Sequence, residues 1–316
     1  MTNTAIVFPG QGSQSVGMLA DLYDNFAVVR ETYEEASDTL GFDLWKITNS
    51  CPDELNQTVN TQPAMLVAGV SAYRVLQSQI DFTPDYFAGH SLGEYTALVA
   101  SNQVAFTDAV MLARKRAEAM QSAVPQGIGA MAAIIGLDTD SINQICQTVS
   151  SNTDSRIGKV WAANDNAPGQ IVIAGHKTAV ELACEQLKQA GAKRALLLPV
   201  SVPSHCPLMQ AAADEMQARF SQTNWQQATA PVIHNCDVLP HSEPSEIITA
   251  LTEQLIKPVR WVETIQYFAQ HDIDTVIEVG PGKVLAGLNK RIDKTINAKS
   301  LFDTATLDDV LTLLNK

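Results

Sequence analysis

The 316-residue chain has few cysteines and lacks long hydrophobic runs. Its cysteines number five, an odd count, and none stands in a C-x-x-C pair. This argues against a disulfide framework or a zinc site and for reduced thiols in a cytosol. No apolar run reaches the roughly 18 residues that a membrane crossing needs. The start, Met1-Thr2-Asn3-Thr4, has no basic side chain before the apolar stretch, so no signal peptide is predicted. We therefore expect a cytoplasmic protein.

Basic side chains are also scarce. Lys and Arg total 21 against 34 Asp and Glu, a formal net charge of −13. A field of that sign opposes binding to nucleic acid or to an anionic membrane. An anionic partner would need a local basic patch, for which the chain offers Arg114-Lys115-Arg116 and the group Lys283, Lys290 and Arg291. Each group taken alone is equally consistent with a solvated helix face.

The composition and the order of the predicted strands and helices indicate a globular α/β protein. Hydrophobic residues make up 46% of the chain and charged residues 17%, an ordinary globular composition. Predicted strands alternate with predicted helices, which favours a mostly parallel sheet covered on both faces. Residues 128–198 follow a βαββαβ order, with a turn expected at 164–169, and predict an inserted ferredoxin-like domain. Residues 1–127 and 199–316 would then form a large, α/β-hydrolase-like domain.

The motif Gly89-His90-Ser91-Leu92-Gly93 fits G-x-S-x-G. A strand is predicted before it and a helix after it, which is the setting of a nucleophilic serine on a sharp turn. The helix start brings backbone N–H groups beside the serine, and the N–H of Leu92 is the natural first donor to an oxyanion. A second donor could come from Gln11, in the glycine-rich loop after the first strand. A plain strand–helix turn is the alternative interpretation.

A serine nucleophile needs a positioned base. Of six histidines, His205 is favoured because two prolines fix its loop just after the predicted insertion. His234 is second, since it ends a predicted strand. No motif marks a third, orienting group, and a backbone carbonyl could serve as well as an acid. The acidic candidates for that third position are Asp237, Asp272, Asp274 and Glu278.

Taken together, several segments resemble the malonyl-CoA:acyl-carrier-protein transacylases of bacterial fatty acid synthesis and, more broadly, the acyltransferase domains of polyketide synthases. They span nearly the whole chain in the order of that family. The matching segments are Phe8-Pro9-Gly10-Gln11-Gly12-Ser13-Gln14, Gly89-His90-Ser91-Leu92-Gly93-Glu94-Tyr95, Arg116 before Met120-Gln121, residues 164–175, Pro199-Val200-Ser201-Val202-Pro203-Ser204-His205-Cys206, Gln254-Leu255 before Pro258-Val259-Arg260-Trp261, and Glu278-Val279-Gly280-Pro281-Gly282-Lys283.

The resemblance implies a role for each matching position. Ser91 would be the acylated nucleophile and His205 its general base, held through the main-chain carbonyl of Gln254. Arg116 would pair with the free malonyl carboxylate. The oxyanion hole would consist of the backbone N–H groups of Gln11 and Leu92, and the coenzyme A or carrier arm would be contacted by Asn164 and Asn166. No permanently bound cofactor is implied. Malonyl-CoA would be the substrate, and an acidic acyl carrier protein would be the acceptor.

Three other functions stay open at this level. A serine hydrolase or thioesterase would use the same elbow, although its histidine usually lies later in the chain, after a marked acid. A phosphate-binding protein is suggested by Gly10-Gln11-Gly12 and Gly280-Pro281-Gly282-Lys283, but neither matches a full phosphate-binding motif. A non-catalytic carrier-protein scaffold is the third.

Overall fold

The structure, a computed structural model, describes residues 3–200 and 202–315; Ser201, part of one sequence motif, lies outside them. It is an α/β fold, as predicted. The strands of this described part are β1 Thr4–Phe8, β2 Tyr86–Gly89, β3 Gly129–Ile135, β4 Val160–Ala167, β5 Gln170–His176, β6 Arg194–Leu197, β7 Val232–Ile233, β8 Val259–Arg260, β9 Thr275–Val279 and β10 Asn297–Leu301. The helices are α1 Ala20–Asn25, α2 Ala27–Leu40, α3 Leu44–Ser50, α4 Pro52–Leu55, α5 Thr58–Gln79, α6 Gly93–Ala100, α7 Phe106–Ala123, α8 Thr139–Ser150, α9 Lys177–Gln189, α10 Gln210–Phe220, α11 Pro244–Ile256, α12 Trp261–Gln270, α13 Val284–Ile292 and α14 Thr304–Leu314.

One of two five-stranded sheets has the strand order β10-β9-β1-β2-β7, and all of its pairings are parallel. Every residue of β1 is buried, because a parallel strand covered on both faces must be apolar along its whole length. The register pairs Phe8 with Gly89. The loops that follow β1 and β2 therefore leave the same edge of the sheet, which brings the glycine-rich loop beside the serine motif.

The second sheet has the order β6-β3-β5-β4-β8. The pairings among β3, β4, β5 and β6 are antiparallel, whereas β8 adds to β4 in parallel. The first four strands alternate with α8 and α9 in the βαββαβ order that the sequence predicts. Because β8 comes from a distant part of the chain, it ties this sheet to the elements that carry the rest of the cleft.

The same pairing corrects two predictions. The turn expected at 164–169 is present but is confined to Pro168-Gly169, because β4 continues to Ala167 and shifts register between Ala162 and Asn164 and again between Asp165 and Ala167. Likewise, the sequence pattern predicts a helix over Val259–Gln270, but the helix begins at Trp261 because Val259–Arg260 form β8. The backbone hydrogen bonds of this region are made by pairing between distant strands and across β-bulges. A local sequence pattern does not reveal such pairing. The short helices α3 and α4 were not predicted.

None of the described helices combines the length and the apolar character that a membrane crossing requires. Within the same residues, no cluster of His, Cys, Asp and Glu side chains is arranged to hold a metal ion.

Candidate active site

Ser91 lies on a tight turn between β2 and α6. Its φ of 54° is in the left-handed region, which is strained for a residue with a side chain. The flanking glycines make the turn possible. A Cβ on Gly89 would lie 1.9 Å from backbone atoms of Gly93, and a Cβ on Gly93 would lie 2.1 Å from the carbonyl oxygen of Phe8. The turn thus packs directly against β1 and leaves the serine side chain facing the cleft.

Asn235 holds this strained turn. Its Oδ1 accepts a hydrogen bond from the N–H of Ser91 at 2.7 Å, and its Nδ2 donates to the carbonyl of Gly89 at 2.7 Å. One buried amide therefore satisfies the backbone on both sides of the bend. No sequence motif points to Asn235. The only available signal was its position directly after the predicted strand that ends near His234.

His205 is within hydrogen-bonding distance of the serine. Its Nε2 is 2.7 Å from Ser91 Oγ, and its Nδ1 is 2.7 Å from the main-chain carbonyl of Gln254. The carbonyl accepts only, so Nδ1 carries the proton and Nε2 is free to accept one. The side chain is 3% exposed, and burial, followed by the charge of Arg116, lowers the pKa of His205 to about 3. The imidazole is accordingly neutral near pH 7.

Arg116 reaches the same point from α7. Its Nη2 donates to Ser91 Oγ at 3.1 Å and to Gln254 Oε1 at 2.9 Å, and its Nη1 donates to Gln62 Oε1 at 2.9 Å. The side chain is 1% exposed. Burial lowers its pKa from the ordinary value, while Tyr95 and Glu94 act in the opposite direction. A guanidinium retains its charge even so. The site therefore holds a buried cation beside the serine, ready for an anionic group.

The remaining predicted residues line one cleft of about 190 Å³ around Ser91. Gln11 and Leu92 are on its wall, and Gly10 packs so closely on the turn that a Cβ there would be 2.4 Å from the carbonyl of His90. The structure thus brings together all eight residues singled out from the sequence: seven line the cleft, and Gln254 joins Ser91, His205 and Arg116 from beneath it. The rest of the wall is largely apolar: Met120, Met131, Val172, Leu198, Val200 and Val202.

Asn164 and Asn166 reach the cleft from β4 rather than from the expected turn. Asn166 Oδ1 is 2.7 Å from Nε2 of His90. Burial lowers the pKa of His90, while this hydrogen bond acts in the opposite direction. The side chain of His90 therefore points to β4, away from the serine hydroxyl.

One predicted basic patch is wrong. Arg116 of the Arg114-Lys115-Arg116 segment points inward, and both Arg114 and Lys115 form ion pairs with Glu118, at 2.7 Å and 2.8 Å. Successive residues on a helix face directions about 100° apart, so three adjacent cations do not share one face. The acidic candidates for an orienting group are not needed by His205, which uses a carbonyl. Glu278, for example, accepts the N–H groups of Leu285 and Ala286 at the start of α13.

Comparison with known proteins agrees with this geometry. A family model described as an acyl transferase domain matches residues 5–307. The chain belongs to the acyl transferase family. Among full-length members of the family, the malonyl CoA-acyl carrier protein transacylase of Salmonella typhimurium is 50% identical over 314 residues, which cover 99% of this chain and 100% of the relative. The protein of the same name from Escherichia coli K12 is 49% identical over the same coverage.

Solved structures of family members have the same fold. The malonyl CoA-acyl carrier protein transacylase of Coxiella burnetii superimposes with a TM-score of 0.96 at 45% identity, over 100% of this chain and 98% of the other. A malonyl transacylase in complex with its type II polyketide synthase acyl-carrier protein gives a TM-score of 0.95 at 47% identity, over 100% of both chains.

Proposed function

We propose that the chain transfers a malonyl group from malonyl-CoA to the phosphopantetheine thiol of an acyl carrier protein. The observation that carries the proposal is the convergence of a neutral imidazole and a buried guanidinium on one serine hydroxyl, each within hydrogen-bonding distance of Ser91 Oγ. Membership of the acyl transferase family, and the names of relatives at about half identity over the full length, support the same activity.

The reaction follows from the arrangement of donors and acceptors. Ser91 Oγ attacks the thioester carbonyl as its proton passes to His205 Nε2, and the backbone N–H groups of Gln11 and Leu92 stabilise the oxyanion. The carbon–sulfur bond then breaks, and the imidazolium returns the proton to the leaving thiolate of coenzyme A. In the second half, the carrier thiol gives its proton to His205 and attacks the carbonyl of the serine ester. The bond between the acyl carbon and Ser91 Oγ then breaks, and the imidazolium returns the proton to Ser91 Oγ.

Arg116 is proposed to bind the free carboxylate of the malonyl group. A guanidinium pairs with a carboxylate through two parallel hydrogen bonds, and an acyl group without a carboxylate would leave the buried cation unpaired. Losing one partner of a buried pair costs about 3–5 kcal/mol. We expect Arg116→Ala to lower malonyl transfer by at least about a hundredfold while it retains or increases acetyl transfer. Equal losses with malonyl-CoA and acetyl-CoA would reduce Arg116 to a structural role.

The acyl-enzyme tests the proposal directly. The protein is incubated with malonyl-, acetyl- or methylmalonyl-CoA, and the peptide that contains Ser91 is analysed by mass spectrometry. We expect a malonyl ester on Ser91 that persists until a carrier thiol is added, and no ester on the Ser91→Ala variant. Absence of the ester from the wild-type protein, or its release by water as fast as by the thiol, would instead favour a hydrolase.

The carrier is proposed to dock at a surface formed by Lys283, Lys290 and Arg291. All three side chains are exposed, and neither lysine forms an ion pair with a described residue. The preceding Gly282 approaches Ser13 of the glycine-rich loop, where a Cβ would lie 3.7 Å from the carbonyl of Ser13. The Lys283 end of this surface therefore lies beside the glycine-rich loop, whose Gln11 lines the cleft. We propose that Asn164 and Asn166 contact the pantetheine arm inside the cleft. We also propose that the protein holds no permanently bound cofactor.

The domain organisation is part of the proposal. An α/β-hydrolase-like domain would comprise residues 1–127 and 199–316, with a ferredoxin-like domain of residues 128–198 inserted between them. The parallel strand order around β1, and the order β6-β3-β5-β4 of the second sheet, support this division. The cleft then lies between the two domains, with apolar wall residues from the smaller one.

We propose that the protein is located in the cytoplasm.

A further inference from the structure

Glu94 is a fully buried carboxylate directly behind the serine turn. It lies in the first turn of α6, where the helix dipole favours a negative charge. Three donors converge on it. His234 Nδ1 is 2.8 Å from Oε1, and Oε2 accepts the N–H of Asn235 at 3.0 Å and Nε2 of Gln254 at 2.9 Å. None of these bonds involves the atoms that would react with substrate.

The Gln254 side chain joins this carboxylate to Arg116. Its Nε2 donates to Glu94 Oε2 and, at 3.0 Å, to the carbonyl of Ser91, while its Oε1 accepts from Arg116 Nη2. A carboxylate only accepts hydrogen bonds and a guanidinium only donates them. The two charges therefore dictate which way the amide points. With the amide reversed, its NH₂ group would face the guanidinium, donor against donor.

We propose that Glu94 is a positioning residue for acyl-group selectivity, which fixes the Gln254 amide and, through it, the orientation of the Arg116 guanidinium toward Ser91. The inference rests on the proposed function, in which Arg116 binds the malonyl carboxylate. It adds a determinant of selectivity that need not touch the substrate. Because Gln254 holds His205 through its main-chain carbonyl, a change confined to its side chain leaves the base in place.

Removal of the carboxylate has a specific consequence. In Glu94→Ala, the Gln254 NH₂ group loses its charged acceptor and keeps only the carbonyl of Ser91, so the orientation of the amide is held less firmly. When the amide turns, Arg116 Nη2 loses the Gln254 acceptor, and the guanidinium keeps its hydrogen bonds to Gln62 and Ser91 and its contact with the Tyr95 ring. A carboxylated acyl group depends on that orientation, whereas an acetyl group does not. The selectivity ratio, kcat/KM for malonyl-CoA divided by kcat/KM for acetyl-CoA, should fall.

A double-mutant cycle separates this mechanism from general damage. Glu94→Ala is made in the wild-type and in the Arg116→Ala background, and acylation of Ser91 by each thioester is measured. We expect the ratio to fall about tenfold in the wild-type background and less than about twofold in the Arg116→Ala background, since coupled residues show interaction energies that independent ones do not. The same fall in both backgrounds, or equal losses with both thioesters, would overturn the inference.

Two further variants guard against a simple folding defect. Gln254→Met keeps the main-chain carbonyl and removes the amide, so it should lower the ratio as Glu94→Ala does. An unchanged ratio in Gln254→Met also overturns the inference. Glu94→Gln keeps one acceptor oxygen, and His234 can accommodate the new amide by moving its proton to Nε2, which has no partner among the described residues. We expect Glu94→Gln to retain the ratio within about threefold, and a tenfold fall there contradicts the mechanism.

The experiments also distinguish a failure of this inference from a failure of the proposed function. If the wild-type protein forms no malonyl ester, the proposed function fails. If it forms the ester and the ratio is insensitive to Glu94, only the inference fails. Melting temperatures of all variants confirm that the folded protein is being compared.

Discussion

The regions around His205 and His234 contain two buried histidines with opposite surroundings. His205, 3% exposed, opens onto the cleft and is oriented by a neutral main-chain carbonyl. His234, 0% exposed, is oriented by the carboxylate of Glu94. An imidazole–carboxylate pair is the usual mark of a serine hydrolase triad. Here the His234–Glu94 pair lies behind the turn, and His205, beside the nucleophile, is oriented by a carbonyl and not by a carboxylate.

The difference shows how the site manages charge. A carboxylate next to His205 would raise the pKa of the imidazole and would place a negative charge near a proposed anionic substrate. The carbonyl of Gln254 fixes the tautomer without adding that charge. Meanwhile Glu94 balances the buried cation of Arg116 from behind, through the Gln254 side chain. Gln254 thus connects the two regions, and the positive charge of Arg116 lies on the side of the cleft.

The largest expected effect is at His205. His205→Asn places an amide nitrogen near the Nδ1 position, so the bond to Gln254 can persist, but it removes the base at Nε2. We expect the rate of Ser91 acylation by malonyl-CoA to fall about a thousandfold, within the usual contribution of a general base. Rapid quench followed by mass spectrometry measures the rate. Less than a tenfold loss in a variant that melts normally would show that His205 is not the base.

The second effect is on the pH profile. With the pKa of His205 near 3, the imidazole stays neutral as the pH falls, so acylation by acetyl-CoA should change less than about twofold between pH 7.5 and pH 5. An ordinary histidine, with a pKa of about 6.5, would lose activity about thirtyfold by pH 5. Acetyl-CoA is used because it has no free acyl carboxylate that titrates. A fall centred near pH 6.5 would contradict the low pKa.

The sequence predicted those features of the fold and of the site that are encoded by consecutive residues. The turn around Ser91 is a local feature, since its glycines, its preceding strand and its following helix are consecutive. The loop of His205 was favoured by its neighbouring prolines for the same reason. In contrast, Asn235 supports the turn from 144 positions away. No spacing rule links those residues, so only the folded chain reveals the clamp.

Arg116 and Gln254 lie between these cases. Arg116 had an ordinary alternative, an arginine on a solvated helix face, and only the family resemblance singled out Arg116 and Gln254. The turn expected at 164–169 is shorter than predicted, because Asn164 and Asp165 pair as part of β4 with the distant residues 259–260 of β8. Glu94 was visible in the motif Gly89-His90-Ser91-Leu92-Gly93-Glu94-Tyr95, yet nothing local indicates that its carboxylate points toward Gln254.

The smallest expected effect on activity is at His234. His234→Asn, the same substitution as at His205, can keep a nitrogen near the Nδ1 position to donate to Glu94 while it removes the rest of the ring. We expect acylation to stay within about threefold of the wild-type rate, because Glu94 remains satisfied and Gln254 keeps its orientation. The lost ring packing should lower the free energy of unfolding by about 1–2 kcal/mol, measured by urea titration. A loss of activity as large as that of His205→Asn would mean that the two histidines act as one unit, and the contrast between the two regions would not hold.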